Sequence, residues 1–188
     1  MNIRSAPLGG RDLFFESLRA NGIFFFDVTA PMRDSEGRNT SFGWNTGRRF
    51  FVESLRNQSI SAGGVLEKDL RGQGLKQNKS GSDIYIRPTQ SLNRSMVVFD
   101  DADPDEILNY SRIIIQTSAK SFQVIYFLEE SISVDEAGIL QKNIHFERSM
   151  LSGKQFSDPA ALSGLRWFRV PGFFNKKPSR ENFFVRLV

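Results

Sequence analysis

Apolar residues in this sequence arrive in short runs, and that restricts the fold more than any other feature. Residues 23–28, 96–99, 113–116, 121–128 and 183–187 each form a strand-length apolar segment bounded by acids, polar residues or turn formers. Residues 83–88 add another, stopped by Pro88. Helical spacing separates these runs. Residues 11–20 suit a short helix ended by Asn21-Gly22, and residues 133–146 carry Val134, Ala137, Ile139, Leu140 and Ile144 on one side. Residues 104–110 predict a third helix. No run approaches the roughly 18 residues of a membrane-spanning helix. The interleaving predicts an α+β domain with a central, largely antiparallel sheet flanked by helices.

The first half is less legible. Residues 34–47 read as a turn or hairpin tip, and residues 50–55 as an apolar segment of either type. Residues 62–82, rich in Gly, Lys, Gln, Asn and Ser, predict a partly basic loop, either plainly solvated or touching a nucleic-acid backbone.

A chain of 188 residues fits one domain with a real core, and 18 phenylalanines supply much of its bulk. Cysteine is absent, which excludes disulfides, thiolate chemistry and cysteine-ligated zinc and suits a reducing cytoplasm. The opening Met-Asn-Ile-Arg lacks a secretory apolar run, so a cytoplasmic protein without a membrane partner is expected. Net charge is +4, from 25 basic and 21 acidic residues, which permits a polyanionic partner without demanding one. Its distribution is more informative. Arg166, Arg169, Lys176, Lys177, Arg180 and Arg186 crowd the end of the chain, while Asp100, Asp101, Asp103, Asp105 and Glu106 gather after an apolar strand.

A strand that delivers carboxylates to its end can fix hard oxygen ligands for divalent cations. Asp103 before Pro104, with Glu106 three positions on, also reads as a helix N-cap with a capping-box acid, and Asp105 as a first-turn charge. Asp100 and Asp101 have no such local use. Neighbouring strand residues point to opposite faces, so both can serve one site only where the strand ends or bulges; Asp101 with Asp103 is the alternative pair.

Five segments, in order, resemble the RepB-like primases of the archaeo-eukaryotic primase superfamily. They are Ile84-Tyr85-Ile86-Arg87-Pro88, Val97-Val98-Phe99-Asp100-Asp101 and Thr117-Ser118-Ala119-Lys120-Ser121-Phe122-Gln123, then Ser157-Asp158-Pro159-Ala160 and the stretch Arg166-Trp167-Phe168-Arg169-Val170-Pro171-Gly172-Phe173-Phe174-Asn175-Lys176-Lys177-Pro178. The resemblance covers residues 83–188, the motif-bearing core, while residues 1–82 match in general character. It implies one catalytic domain over residues 1–188 with an RRM-like primase-polymerase core. The implied activity is a nucleotidyltransferase that makes primers on single-stranded DNA for plasmid or phage replication.

On that resemblance Asp100, Asp101 and Asp158 are the catalytic, metal-binding carboxylates for two Mg²⁺ or Mn²⁺ ions. Arg87, Ser118, Ser121, Gln123, Arg166 and Arg169 bind the nucleoside triphosphate, and Lys176 and Lys177 contact DNA or phosphate. Taken alone, Asp158-Pro159 reads as a cap or turn, Ser118 to Gln123 as a polar turn, and Arg87 as a sheet-edge ion pair. Many superfamily members carry a histidine in the second motif; here the one histidine is His145, in the predicted helix. Related primases also carry a helical domain after the catalytic one, so dependence on such a domain or on a replicative helicase is expected, with poor priming by the chain alone.

Paired-histidine nickases need two histidines, and Walker ATPases a Gly-x-x-x-x-Gly-Lys-Ser/Thr motif that does not occur. The alternatives that remain are a catalytically inactive primase-like module binding single-stranded DNA or an origin, and a metal-dependent nuclease using the same carboxylates.

Overall fold

The computed structural model describes residues 9–23, 25–33, 36, 39–42, 49–51, 65–88, 94–107, 110, 112–164 and 166–188. Among them, helix α1 (Gly9–Ala20) precedes strands β1 (Phe25–Thr29), β2 (Pro31–Arg33), β3 (Asn39–Phe42), β4 (Arg49–Phe51) and β5 (Val65–Leu66). Helix α2 (Glu67–Lys79) leads to β6 (Tyr85–Pro88), β7 (Arg94–Phe99), β8 (Arg112–Gln116) and β9 (Phe122–Ile132). Helix α3 (Val134–Ser152), β10 (Phe168–Arg169) and β11 (Arg186–Leu187) complete the order.

The strands pair in two main sheets, β10-β6-β1-β4-β5 and β11-β8-β9-β7, beside the β2-β3 hairpin. All pairings are antiparallel except β4 with β5. The expected α+β class with largely antiparallel pairing stands, shared between two sheets. No helix among the described residues is long and apolar enough to cross a membrane.

Period-two alternation explains the continuous apolar run of β7. Met96 and Val98 face one core with Phe26, Val28, Ile86, Ile113, Ile115, Ile125 and Phe168, together with Phe14 and Leu18 of α1. Val97 and Phe99 face a second core with Val124, Tyr126, Phe156 and Ala137 of α3. A sheet covered on both sides has no polar face to display, so residues 96–99 of β7 and 124–128 of β9 read as unbroken hydrophobic runs. Burial of each such side chain contributes about 1.5–3 kcal/mol, which fixes β7 and with it the acids at its end.

Helix α3 starts at a capping box. Ser133 Oγ accepts from Glu136 N at 3.2 Å, and Glu136 Oε2 accepts from Ser133 N at 2.8 Å. Gln141, on its buried side, donates to the Val98 carbonyl and accepts from Gly164 N at 2.7 Å. Gly164 is left-handed at φ 68, and a Cβ there would lie 2.3 Å from the Val134 carbonyl oxygen, so no other residue fits.

Two expectations need correction. The predicted loop over 62–82 contains β5 and α2. Leu70, Gly74 and Asn78 recur every four residues and form the buried face of α2, but only one of them is apolar, so composition hid the period. Gly74 lets the helix approach Phe173, and Asn78 exchanges hydrogen bonds with the Phe174 backbone at 2.7 and 2.9 Å. The predicted helix over 104–110 is one 3-10 turn, Pro104–Glu106, with Ile107 extended again. Residues 108–109 lie outside the described residues, as do 34–35, 37–38 and 43–47 of the predicted hairpin tip and 52–55 of the second apolar segment.

Candidate active site

Strand β7 ends at Phe99, and Asp101 turns into the left-handed region at φ 47. Alternation is thereby broken, and both Asp100 and Asp101 line one cleft. The amide of Asp101 donates to Asp100 Oδ1 at 3.1 Å, and Gln123 Nε2, from the start of β9, donates to the same oxygen at 3.0 Å. Asp100 Oδ2 is paired with Arg166 Nη2. Gln123 Oε1 in turn accepts from Arg169 N at 2.8 Å, which ties β10 to the acid-bearing strand.

Asp158 joins through the backbone: its N–H donates to the Asp100 carbonyl at 2.8 Å. Its carboxylate accepts from Ala160 N at 2.9 Å and caps the turn Pro159–Ala161. The neighbouring Ser157 hydroxyl, buried, shares a 2.9 Å hydrogen bond with His145 Nδ1 of α3. Asp103 is the cap its sequence suggests, accepting from Asp105 N at 3.0 Å, with Lys154 3.3 Å from its other oxygen. Glu106 does not close the box; it pairs with Arg148 at 2.6 Å.

The cleft also has a cationic lining. Lys177, Arg180 and Asn175 reach it from the C-terminal segment, with Thr117 from the end of β8 and Tyr85 from β6. Asn175 is buried and donates to the Thr117 carbonyl at 2.7 Å, and Arg180 donates to Ser118 Oγ at 3.0 Å, so this segment is stitched to the β8–β9 turn. That turn closes on itself: Ser121 N donates to Ser118 Oγ at 3.1 Å, and Thr117 N to the Ser121 carbonyl at 2.9 Å.

Of the residues expected at the site, Asp100, Asp101, Gln123, Arg169 and Lys177 line the cleft. Arg169 is also locked into a buried ion pair with Asp83, Nη1 to Oδ1 at 2.7 Å, and stacks over the Tyr85 ring. Arg87 pairs at 3.3 Å with Asp27, its cross-strand neighbour on β1, and lies over Trp167; the ion pair expected at a sheet edge is inside the sheet, because β6 runs between β10 and β1. Arg166 holds Asp100, and Lys176 Nζ donates to Asn182 Oδ1 at 3.2 Å. Thr117 was a candidate among the neutral donors of its motif, while sequence reasoning did not assign Tyr85, Asn175 or Arg180 to the site. Tyr85 and Asn175 lie inside the quoted motifs, and Arg180 belongs to the basic run, so charge alone pointed toward it.

The donor chemistry suits a divalent cation, since the three carboxylates sit on segments bonded to one another. Among the described residues, however, no three acidic or histidine side chains gather closely enough to hold a metal ion. Both Asp100 oxygens have partners, and Asp158 serves its own turn. Arg166 pairs closely with Asp100, and Arg180 stands 4.0 Å from Asp101.

This architecture is that of the primase-polymerases. The catalytic domain of primase RepB′, solved in complex with initiator DNA, superposes with a TM-score of 0.67 at 18% identity, over 94% of this chain and 82% of that one. The archaeo-eukaryotic primase domain of the cyanophage S-2L primase-polymerase gives 0.62 at 13% identity, over 98% of this chain and 91% of that one. Residues 30–188 match the RepB DNA-primase N-terminal domain, and the chain belongs to that family. It is also similar to mobilization protein A of Escherichia coli, 26% identical over 130 residues, or 65% of this chain. The chain spans 17% of that relative's length.

Proposed function

We propose that this domain is a metal-dependent nucleotidyltransferase that builds primers on single-stranded DNA from nucleoside triphosphates. The observation that carries the reading is the left-handed turn at Asp101, by which two adjacent carboxylates share a cleft also lined by Lys177, Arg169 and Arg180. Carboxylates beside cations are what a reaction between a primer hydroxyl and a triphosphate needs, because its barrier is lowered by alignment and charge neutralisation more than by a side-chain nucleophile.

Asp100, Asp101 and Asp158 would hold Mg²⁺ or Mn²⁺. The chemistry such ions would supply is activation of a hydroxyl and screening of negative charge on phosphate. The chain's own residues do the rest. Gln123 orients Asp100 through its amide, and the Ser118 turn, closed by its own hydrogen bonds, anchors Arg180 through the Ser118 hydroxyl. Lys177 offers a point charge to phosphate, and Lys176 extends the same surface toward template. The partners of this reading are the single-stranded template and the nucleoside triphosphates.

Titration of Mn²⁺ followed by electron paramagnetic resonance tests the ligand set. The intact domain should bind Mn²⁺, and Asp100→Asn and Asp101→Asn should each weaken binding about tenfold or more, an effect known from removing one member of a metal site's supporting shell. Mn²⁺ binding unchanged in both variants would remove the reading. The same outcome would favour an inactive DNA-binding module.

A further inference from the structure

Two arginines line the cleft, and their situations differ. Arg169 is buried and gripped by Asp83, with Nη1 and Nη2 at 2.7 and 3.2 Å from its two carboxylate oxygens. Arg180 rests on partners that an incoming anion can replace. Nη1 donates to the neutral Ser118 hydroxyl at 3.0 Å, and Nη2 lies 4.0 Å from Asp101 Oδ1, an ion pair at the limit of contact. Solvent reaches both ends of that pair: the Arg180 side chain is 29% exposed and that of Asp101 51%.

The backbone around this pair carries a cost. Among the described residues, the non-glycine positions with positive φ are Asp101 at 47, Glu181 at 52 and Asn182 at 54. One bears the acid, and the other two immediately follow the arginine. Such conformations cost roughly 1–2 kcal/mol each for residues with a Cβ, and they persist where surrounding structure holds them. Here the holding groups are visible. Arg180 N donates to the Lys177 carbonyl and Phe183 N to the Arg180 carbonyl, both at 2.9 Å, and Asn182 Oδ1 accepts from Lys176 Nζ. The turn therefore fixes the backbone from which the Arg180 side chain reaches the cleft.

We propose that Arg180 is a triphosphate-binding residue and that its partner changes on loading. Without ligand it bridges Asp101 and Ser118; with nucleotide its planar fork takes phosphate oxygens and leaves Asp101 to a divalent cation. The inference rests on the nucleotidyltransferase reading and adds to it a residue and a coupling. One guanidinium neutralises the acid until the anion arrives, so loading of cation and of nucleotide favour each other. By linkage, the factor by which Mn²⁺ tightens the nucleotide must equal the factor by which nucleotide tightens Mn²⁺.

Calorimetric titration of the whole chain with a nucleoside triphosphate, the matching nucleoside, and Mn²⁺ tests this in wild type, Arg180→Ala and Arg180→Lys. The alanine variant should lose about tenfold or more in triphosphate affinity, the weight of a charge-assisted hydrogen bond. It should bind the nucleoside as wild type does, and Mn²⁺ alone no more weakly. Lysine, which keeps the charge without the fork, should fall between. Coupling between Mn²⁺ and triphosphate should shrink in the alanine variant.

Equal losses for triphosphate and nucleoside would make Arg180 merely structural and overturn the proposal, as would unchanged triphosphate affinity in folded alanine protein. If alanine prevents folding, the lysine variant decides: triphosphate affinity matching wild type refutes the proposal, and a selective loss supports it. A wild-type chain that binds no triphosphate with or without Mn²⁺ fails the underlying reading, and this inference falls with it.

Discussion

Asp83 accepts hydrogen bonds from Arg169, from Lys176 N at 2.6 Å and from the Tyr85 hydroxyl at 3.3 Å, with its side chain fully buried. Removing it would leave a buried guanidinium uncompensated. Asp83→Ala is expected to destabilise the fold by about 3–5 kcal/mol, measured by urea denaturation, and a loss within the range of a surface substitution would contradict the account. The residue scale is also where the sequence was most ambiguous. Asp103 and Asp158 precede proline in the same way and both cap short turns; their distant partners separate them, the Asp103 N–H donating to the Phe156 carbonyl and the Asp158 N–H to the Asp100 carbonyl, and contacts across more than 50 positions of chain leave no local trace. Arg87 and Arg169 carried motif positions, but their partners, Asp27 and Asp83, gave no signal of their own.

At the scale of elements, periodicity found what packing buries and missed what packing borrows. Strands β7, β8 and β9 were legible because their faces are apolar; helix α3 was found although its buried residues are Ala137 and Gln141 and Ile139 of the expected apolar side is exposed. Helix α2 was not, because a glycine and an asparagine stand where its buried face needs a close approach and a hydrogen-bond partner. The segment around Gly164 was equally silent. Gly164→Ala should cost about 2 kcal/mol or more, from left-handed strain and the clash with the Val134 carbonyl, read as a lowered thermal midpoint; an unchanged midpoint would refute the packing described.

The capping box gives α3 a pH signature. Hydrogen bonds from the Ser133 backbone first, and then from its side chain, hold the Glu136 carboxyl below its ordinary range. A lowered folded pKa stabilises above the unfolded value and loses that contribution as pH falls through the folded one. The stability gap between wild type and Glu136→Gln should therefore be open at neutral pH and close below the ordinary glutamate range. A gap independent of pH would contradict it. Ser133→Ala should cost about 1 kcal/mol.

Across the whole molecule, a two-sided sheet carries one acid-bearing strand end into a cleft walled by the cationic C-terminal segment. The class of fold was legible from the interleaving of strands and helices; the division into two sheets was not, since pairing partners are set by contacts far apart in the chain. The same charge layout predicts that affinity for single-stranded DNA falls steeply with added salt as phosphate counterions are no longer displaced, which a fluorescence titration at several ionic strengths would read. The proposed nucleotidyl transfer requires Asp100, Asp101 and Asp158. Incorporation of labelled nucleotide on a single-stranded DNA template with Mn²⁺, comparing wild type with Asp100→Ala, Asp101→Ala and Asp158→Ala, tests it most directly. Extension products from wild type and none from the three variants are predicted; equal extension by the variants, or none from wild type supplied with an annealed primer, would contradict it.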